Sequence, residues 1–223
     1  MIAAKNHANG MSNPFAHMHK DLGGEFCNTV SERNPYVAPP LRRTDCSLVS
    51  DGAAAVVLAD EAGAAGCRRA VGFRARRHVN DVLALSRRDL TEFAGARTAW
   101  TKALDEAGLT LGDLDLVETH DCFTIAELLE YEAMGLAGRG EGHRVVRDGT
   151  TNRGGRLPVN PSGGLKSKGH PIGATGVSMH VMAAMQLMGE AGDMQIDGAR
   201  LAGVFNMGGA AVTNYVSIME RVA

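Results

Sequence analysis

A glycine-rich stretch constrains the fold of this chain more than any other part of its sequence. It runs from Asn160 to Gly176, has Gly169, His170 and Pro171 at its centre, and is followed by the almost uncharged residues 177–189. Glycine permits tight turns and proline suits the first turn of a helix, so the stretch predicts a turn that enters a buried helix. The helix after Gly173 is expected to be the most buried element, because nearly its whole circumference is apolar.

His170 is predicted to lie at the start of that helix. The positive end of a helix dipole disfavours protonation of an imidazole, which would keep His170 neutral as a base or a hydrogen-bond donor. A Walker phosphate loop is excluded, because His170 and Pro171 stand where lysine and a hydroxyl residue are required. The glycine spacing also fails to match a dinucleotide fingerprint. A purely structural glycine turn remains open from this stretch alone.

Composition excludes several classes of function. The 223 residues are 44% hydrophobic and 22% charged, which is enough to bury a core in one or two domains. A net charge of −2 gives no basic field for nucleic acid or for an anionic membrane surface. The longest uncharged run contains His180 and Gln186, so a core helix is expected there and not a membrane span.

The cysteines and the termini predict a cytoplasmic protein. The four cysteines contain no C-x-x-C pair and no framework spacing, which favours free thiols in a reducing compartment. The N-terminus has no apolar signal segment, and the C-terminus is not a peroxisomal address.

Turn signals interrupt the first forty residues too often for a helix longer than two or three turns. His7, His17 and His19 lie in this segment. No matching cysteine or carboxylate cluster accompanies them, so no metal site is predicted and the histidines are expected at the surface or lining a substrate.

The rest of the chain has the sequence pattern of an α/β protein. A continuous apolar run predicts a strand at 53–59 buried on both faces, and Asp60 is expected to open a short helix after it. Further strands are predicted near 70–78, 114–119, 201–206 and 211–219, with a domain boundary just before Cys67. Spacing predicts a helix over 94–107 that ends at Gly108. A second helix is predicted over 123–134, with its inward face formed by Ile125, Leu128 and Leu129.

Two further motifs lie at ends of predicted strands. Cys122 lies between a strand and a helix, where the helix dipole and a neighbouring histidine would favour the thiolate; a small buried hydrophobe is the alternative. Gly208 and Gly209 separate two strands and would let backbone N–H groups approach a ligand as an oxyanion pocket. A simple hairpin turn is the alternative there.

Four motifs in order resemble those of a thiolase of the sterol-carrier-protein type, the branch that carries H-D-C-F. They are Asp45 to Ala55, His120 to Phe123, Asn160 to Gly176, and Asn206 to Gly209. The resemblance covers essentially the whole chain. It implies an α/β thiolase-like fold, a mixed β-sheet covered by helices, as the C-terminal half of a duplicated fold. Residues 1–66 would be the remnant of the first thiolase domain and residues 67–223 the C-terminal domain.

The resemblance implies Claisen condensation or thiolytic cleavage of 3-oxoacyl-CoA. His170 would activate the nucleophile and contribute to one oxyanion hole, Cys122 would be the acid/base, and His120 would stand where other thiolases have a water-positioning asparagine. The Gly208 N–H would help to form the second oxyanion hole. Substrate contacts are expected from Gly169, Ser162, Gly163 and Asn206. Coenzyme A would enter as substrate, with no metal or separate cofactor.

The chain departs from the family pattern in lacking the nucleophile. The nucleophilic cysteine of thiolases belongs to the first half, and Cys27, Cys46 and Cys67 do not lie in a matching context. A separate N-terminal half or a partner subunit is therefore expected beside the acyl-CoA substrate. The alternatives are a non-catalytic acyl-CoA-binding or assembly subunit, and an aldolase on the same scaffold; the presence of both His170 and Cys122 argues against the aldolase.

If these roles carry over, His170, Cys122, His120 and the Gly208 N–H should converge on one cavity from three loops. The side chains of His170 and Cys122 should then lie within several ångströms of each other.

Overall fold

A four-stranded mixed sheet organises the chain in the computed structural model, which describes residues 1–222. The strands are β1 (Tyr36–Ala38), β2 (Leu41–Arg42), β3 (Val71–Asn80), β4 (Leu116–Glu118), β5 (Leu201–Gly208) and β6 (Thr213–Arg221). The order in the main sheet is β3-β6-β5-β4, in which β4 runs parallel to β5 and the other pairs are antiparallel. β1 and β2 form a separate short ribbon. The four predicted strands from residue 70 onward are confirmed.

Helices cover the sheet. They are α1 (Ile2–Gly10), α2 (Gly23–Asn28), α3 (Glu61–Ala64), α4 (Ala94–Ala107), α5 (Thr124–Ala133), α6 (Gly142–Arg147), α7 (Gly164–Ser167) and α8 (Thr175–Met188). The predicted helix over 94–107 is confirmed, and Gly108 ends it in a left-handed conformation with φ of 64°. Within residues 1–222, every helix is too short or too polar to cross a lipid bilayer.

The sheet separates two apolar cores. Side chains alternate between the two faces of a strand, so neighbouring residues of β5 enter different cores. Phe205 packs in one core with Trp100 of α4. Ala202 and Val204 pack in the other with Met179 of α8. The result is a layer of sheet between helices, which brings the ends of β4 and β5 close to the start of α8.

The predicted strand at 53–59 is wrong. Residues 51–60 form no regular element, and the side chains of Val57 and Leu58 are 97% and 74% exposed. A doubly buried strand needs paired neighbours for its backbone and cover for both faces, and no described strand pairs with this segment. α3 does follow it, with Asp60 accepting the Gly63 N–H at 2.8 Å as the cap.

The glycine-rich stretch is more buried than the helix that follows it. All residues from 157 to 169 are buried, whereas α8 is buried on one face and half-buried on the other. The expectation that this helix would be the most buried element is therefore wrong, although none of its residues is exposed. One face of α8 packs on the sheet, and the residues of its other face are half-buried.

The N-terminal segment contains one buried helix. α1 has nine residues, within the predicted limit of two to three turns, and it packs against α5 and α7. His7 is completely buried instead of lying at the surface, and burial, then Lys166, lowers its pKa to about 4. His17 and His19 are exposed. The division of the chain at residues 66 and 67 stays a prediction.

The inward face of α5 carries buried glutamates beside its apolar residues, and the predicted inward residues Leu128 and Leu129 are partly buried against the core. Ile125, expected inside, is 43% exposed, whereas Glu127 is fully buried. Glu127 pairs with the Lys5 ammonium at 2.9 Å and accepts hydrogen bonds from the side-chain amides of Asn6 at 2.6 Å and Asn160 at 3.0 Å. These partners come from α1 and from the glycine-rich stretch, and they satisfy a carboxylate that would otherwise be costly to bury.

Candidate active site

Two histidines from separate loops face each other at the edge of the sheet. His120 lies between β4 and α5, and His170 lies between α7 and α8. Their ring centroids are 5.1 Å apart with the planes at 88°, an edge-to-face contact. The structure therefore brings the two predicted catalytic histidines together.

The hydrogen bond of His120 fixes which ring nitrogen carries its proton. Nδ1 donates to Oδ1 of Asn206, at the end of β5, over 2.6 Å. A Cβ at Gly176 would lie 2.9 Å from Nδ2 of Asn206, so glycine leaves room for this amide. The neutral ring therefore keeps a free lone pair on Nε2. Burial lowers the pKa of His120 to about 4, with further lowering by His170 and Lys168, although Asn206 acts in the opposite direction.

His170 is oriented in the same way by Thr175. The Thr175 hydroxyl donates to the Pro171 carbonyl at 3.0 Å, so its oxygen accepts the proton of His170 Nδ1 at 2.7 Å. Nε2 is again the free nitrogen. Burial, then Lys168, lowers the pKa of His170. This direction agrees with the expected neutral ring, but its cause differs from the prediction: α8 begins at Thr175, five residues beyond His170.

Cys122 is a protonated thiol and not a thiolate. Its side chain is partly buried and packs against both apolar cores. Burial, then the charges of Glu130 and Asp121, raises its pKa to about 12. The expected bias towards the thiolate is wrong, because desolvation and two nearby carboxyl groups outweigh the helix dipole.

The segment from Asp45 to Ala55, the first of the four motifs, contacts both the Cys122 motif and the His170 motif. The Ser47 N–H donates to the Cys122 carbonyl at 2.9 Å. Three residues later the Ser50 hydroxyl accepts the backbone N–H of His170 at 2.7 Å. Since Asn206 of the fourth motif binds His120, contacts now connect all four motifs at one place.

The remaining predicted site residues have distinct surroundings. Gly208 is the exposed last residue of β5, and Gly169 has φ of 115° beside Ser50. Ser162 is buried, with its hydroxyl donating to Glu118 at 2.7 Å, and Gly163 is buried against Gly10. Among residues 1–222 no hydrogen bond joins the Cys122 thiol to either imidazole. The convergence of Cys122 and Gly208 with the histidines, and the four substrate contacts, stay predictions.

Three residues that orient or tune the histidines were not singled out from the sequence. Thr175 and Ser50 hold His170, and Lys168 is a buried ammonium whose charge lowers the pKa of both histidines. Thr175 lies five residues after His170 in the same motif, which was a usable signal. Ser50 is 120 residues away, and no pattern in the sequence relates it to His170.

An open depression of about 440 Å³ lies beside His170, between residues 50–54 and residues 171–174. Within the described part of the chain, no group of three His, Cys, Asp or Glu side chains is arranged to hold a metal ion.

Comparison with known proteins identifies the family. The family model described as thiolase C-terminal domain-like matches residues 77–221. The chain belongs to the thiolase family. It is 41% identical to an acetyl-CoA acetyltransferase of Methanothermobacter thermautotrophicus, over 99% of this chain and 57% of that protein. It is 37% identical to human sterol carrier protein 2, over 95% of this chain and 39% of that protein.

A solved structure supports the thiolase-like fold. The "Ltp2-ChsH2(DUF35) aldolase" superposes with a TM-score of 0.83 at 19% identity, covering 98% of this chain and 56% of that chain. The predicted fold class, a mixed sheet covered by helices, is confirmed. This thiolase-family chain thus spans about half the length, or less, of the relatives it matches.

Proposed function

We propose that this chain is the C-terminal half of a thiolase-type acyl-CoA C-acyltransferase that condenses acyl-CoA esters or cleaves 3-oxoacyl-CoA. The observation that carries the proposal is the pair of neutral imidazoles, each with Nδ1 bound and Nε2 free, at the junction of the four motifs. A relative named acetyl-CoA acetyltransferase, matched over nearly all of this chain, supports the same reaction class.

The first step needs a nucleophile from outside this chain. A cysteine of the N-terminal half, or of a partner subunit, would give its thiol proton to Nε2 of His170. Its thiolate would attack the thioester carbonyl, and coenzyme A would leave as the thiolate and take up that proton. A neutral imidazole with a lowered pKa suits this role, because it is unprotonated at rest and returns the proton readily.

The second step uses Cys122 as the acid/base. In condensation, the Cys122 thiol would first give its proton to solvent; its thiolate would then take the α-proton of a second acyl-CoA, and the resulting enolate would attack the acyl-enzyme carbonyl. The nucleophilic cysteine would be released as a thiolate and would take that proton from Cys122, whose thiolate would regain a proton from solvent. In cleavage, the Cys122 thiol donates its proton to the departing enolate carbon. A thiol with a raised pKa yields a strong base when it is ionised, as abstraction of a carbon-bound proton requires.

Charge that develops on oxygen needs donors. A water held at His120, together with His170, would stabilise the enolate oxygen, and the Gly208 N–H would act on the second oxyanion. Coenzyme A enters as substrate, and no separate cofactor is required. The depression beside His170 is of a size that suits part of an acyl-CoA ester.

The proposal is tested by reconstitution. We expect the purified chain to show no acyl transfer between two CoA esters, because His170 and Cys122 supply only proton-transfer and polarising roles. Addition of the cognate N-terminal half should restore turnover. Binding of an acyl-CoA without turnover in the reconstituted assembly would favour a non-catalytic subunit. Robust turnover by a soluble, monomeric chain alone would contradict the half-enzyme assignment and point to Cys27, Cys46 or Cys67 as nucleophile.

A further inference from the structure

Asp121 is a buried carboxylate between the two histidine loops. It follows His120 directly in the chain and is 1% exposed. Its Oδ1 accepts the backbone N–H of Leu165 at 2.6 Å, and its Oδ2 accepts that of Lys166 at 3.1 Å. These two N–H groups belong to α7, which ends three residues before His170. One side chain therefore joins the loop of His120 to the segment that leads into His170.

A third donor comes from the N-terminal helix. Nδ2 of Asn6 donates to Oδ2 of Asp121 at 2.8 Å and to Oε2 of Glu127 at 2.6 Å. Asp121 thus receives hydrogen bonds from two other parts of the chain. Burial, then the charge of Glu127, raises the pKa of Asp121 to about 7, and the hydrogen bonds from the Leu165 and Lys166 N–H groups act in the opposite direction.

The glycine-rich stretch is shaped to receive this carboxylate. A Cβ at Gly164 would lie 2.4 Å from Oδ2 of Asp121 and 2.5 Å from Oδ1. Only a residue without a side chain lets the backbone come so close, so Gly164 is matched to Asp121.

We infer that Asp121 is the positioning residue of the site: its carboxylate sets the distance and angle between the His120 and His170 rings by tying their loops together. The geometric part of this inference stands on the contacts alone, and the kinetic part rests on the proposed function. A purely structural role would lower stability without changing the relation between the two rings.

The experiment compares Asp121→Asn with a matched control. Asp115 lies at the opposite end of β4 and also binds two backbone N–H groups, although it is half-buried: its Oδ2 accepts those of Arg200 at 2.7 Å and Leu201 at 2.9 Å. Asparagine at either position keeps the shape and removes one acceptor oxygen. The measurement is solution NMR of the chain with labelled histidine. If the chain alone self-associates, it is measured in complex with the N-terminal half.

We expect Asp115→Asn to leave the ring signals of His120 and His170 and their mutual nuclear Overhauser effect unchanged. Asp121→Asn should shift the ring signals of both histidines and abolish that effect. Unchanged signals in Asp121→Asn would overturn the inference. If Asp121→Asn does not fold, Asn6→Ala takes its place: loss of one donor to the same carboxylate should shift both rings, and unshifted rings would again overturn it.

A kinetic readout separates this inference from the proposed function. In the assembly with the N-terminal half, Asp121→Asn should lower kcat by about 10²-fold, because an ångström of misplacement costs roughly that much, while KM changes little. An active wild-type assembly in which Asp121→Asn keeps its kcat overturns the inference. An inactive wild-type assembly in which Asp121→Asn still displaces the rings refutes the proposed function and leaves Asp121 as the positioning residue.

Discussion

His120 gives the site a measurable pH signature at the scale of single residues. Because burial lowers its pKa to about 4, its ring signals should stay nearly constant between pH 8 and 5.5. Free histidine in the same NMR sample should titrate near its ordinary value of about 6.5. A His120 ring that titrated together with the free amino acid would contradict the burial of this imidazole as the controlling effect.

The same pKa shift makes His120 an acid-sensitive part of the fold. Its pKa in the folded state lies below that of the unfolded chain, so protons bind preferentially to the unfolded state as the pH falls. The contribution of the neutral ring is present above about pH 6.5 and is lost towards pH 4. The difference in free energy of unfolding between wild type and His120→Asn should therefore fall by up to about 1.4 kcal/mol per pH unit in that window. Urea titrations at several pH values measure it, and a pH-independent difference would contradict it.

Cys122 should resist alkylation. A thiol whose pKa is raised to about 12 is almost wholly protonated near neutral pH, and the thiolate is the reactive form. Cys67 is exposed and serves as the internal control. Peptide mapping after iodoacetamide treatment at pH 7.5 should show Cys67 modified long before Cys122. Equal rates at the two positions would show that Cys122 is not desolvated as described.

The residues proposed to carry the chemistry could be singled out from the sequence, but the residues that hold them in place could not. His120, His170 and Cys122 lie in short motifs whose residue types indicate acid/base work. Asp121 and Glu127 both accept hydrogen bonds from Asn6, which lies more than 110 positions away in the sequence. A hydrogen bond across that separation leaves no local sequence pattern. The thiolate prediction for Cys122 failed for another reason: Asp121 and Glu130 are close in the sequence, but the burial that contributes most to the raised pKa of the thiol depends on the whole fold.

At the scale of elements, β5 and α4 depend on one close approach. A Cβ at Gly203 would lie 2.7 Å from Cη2 of Trp100, deep in the core. Gly203→Ala should therefore destabilise the fold by about 1–3 kcal/mol through overpacking. Gly112→Ala is the control, because its added Cβ has Thr110 Oγ1 at 3.6 Å as its nearest neighbour. Chemical denaturation measures both, and equal effects would show that the contact with Trp100 is not rigid.

Helices with a regular apolar spacing, and strands whose pairing partners lie in the same chain, were predictable from the sequence. α4 has apolar residues at helical spacing and a glycine at its end, and β6 pairs with both β3 and β5 within the chain. α5 was placed correctly, and Leu128 and Leu129 pack partly buried against the core, but Ile125 is exposed. The buried Glu127 accepts a hydrogen bond from Asn6 of the distant N-terminal helix, and the buried Glu130 accepts the Thr119 hydroxyl from the loop before α5. The segment 53–59 has the composition of a buried strand without a pairing partner in the described chain.

At the scale of the whole molecule, residues 53–59 should control self-association. Val57 and Leu58 expose apolar side chains next to each other on a segment with unpaired backbone. Substitution of both by lysine should reduce association of the isolated chain in sedimentation velocity. Lysine at Leu83 and Leu85, which are 77% and 53% exposed, is the control and should change it less. If the two double variants reduced self-association equally, residues 53–59 would have no special role in it.

Acyl transfer by the chain together with its N-terminal half tests the central claim most directly. In that assembly, His170→Ala and Cys122→Ala should each lower turnover by about 10²- to 10⁴-fold, as loss of a proton-transfer group does. His78→Asn is the control: His78 lies on β3, at the opposite edge of the sheet from β4, and its exposed ring stacks on Tyr215 at 4.2 Å between centroids. Its turnover should stay near that of the wild type. Full turnover after loss of His170 or Cys122 would contradict the assignment of the site.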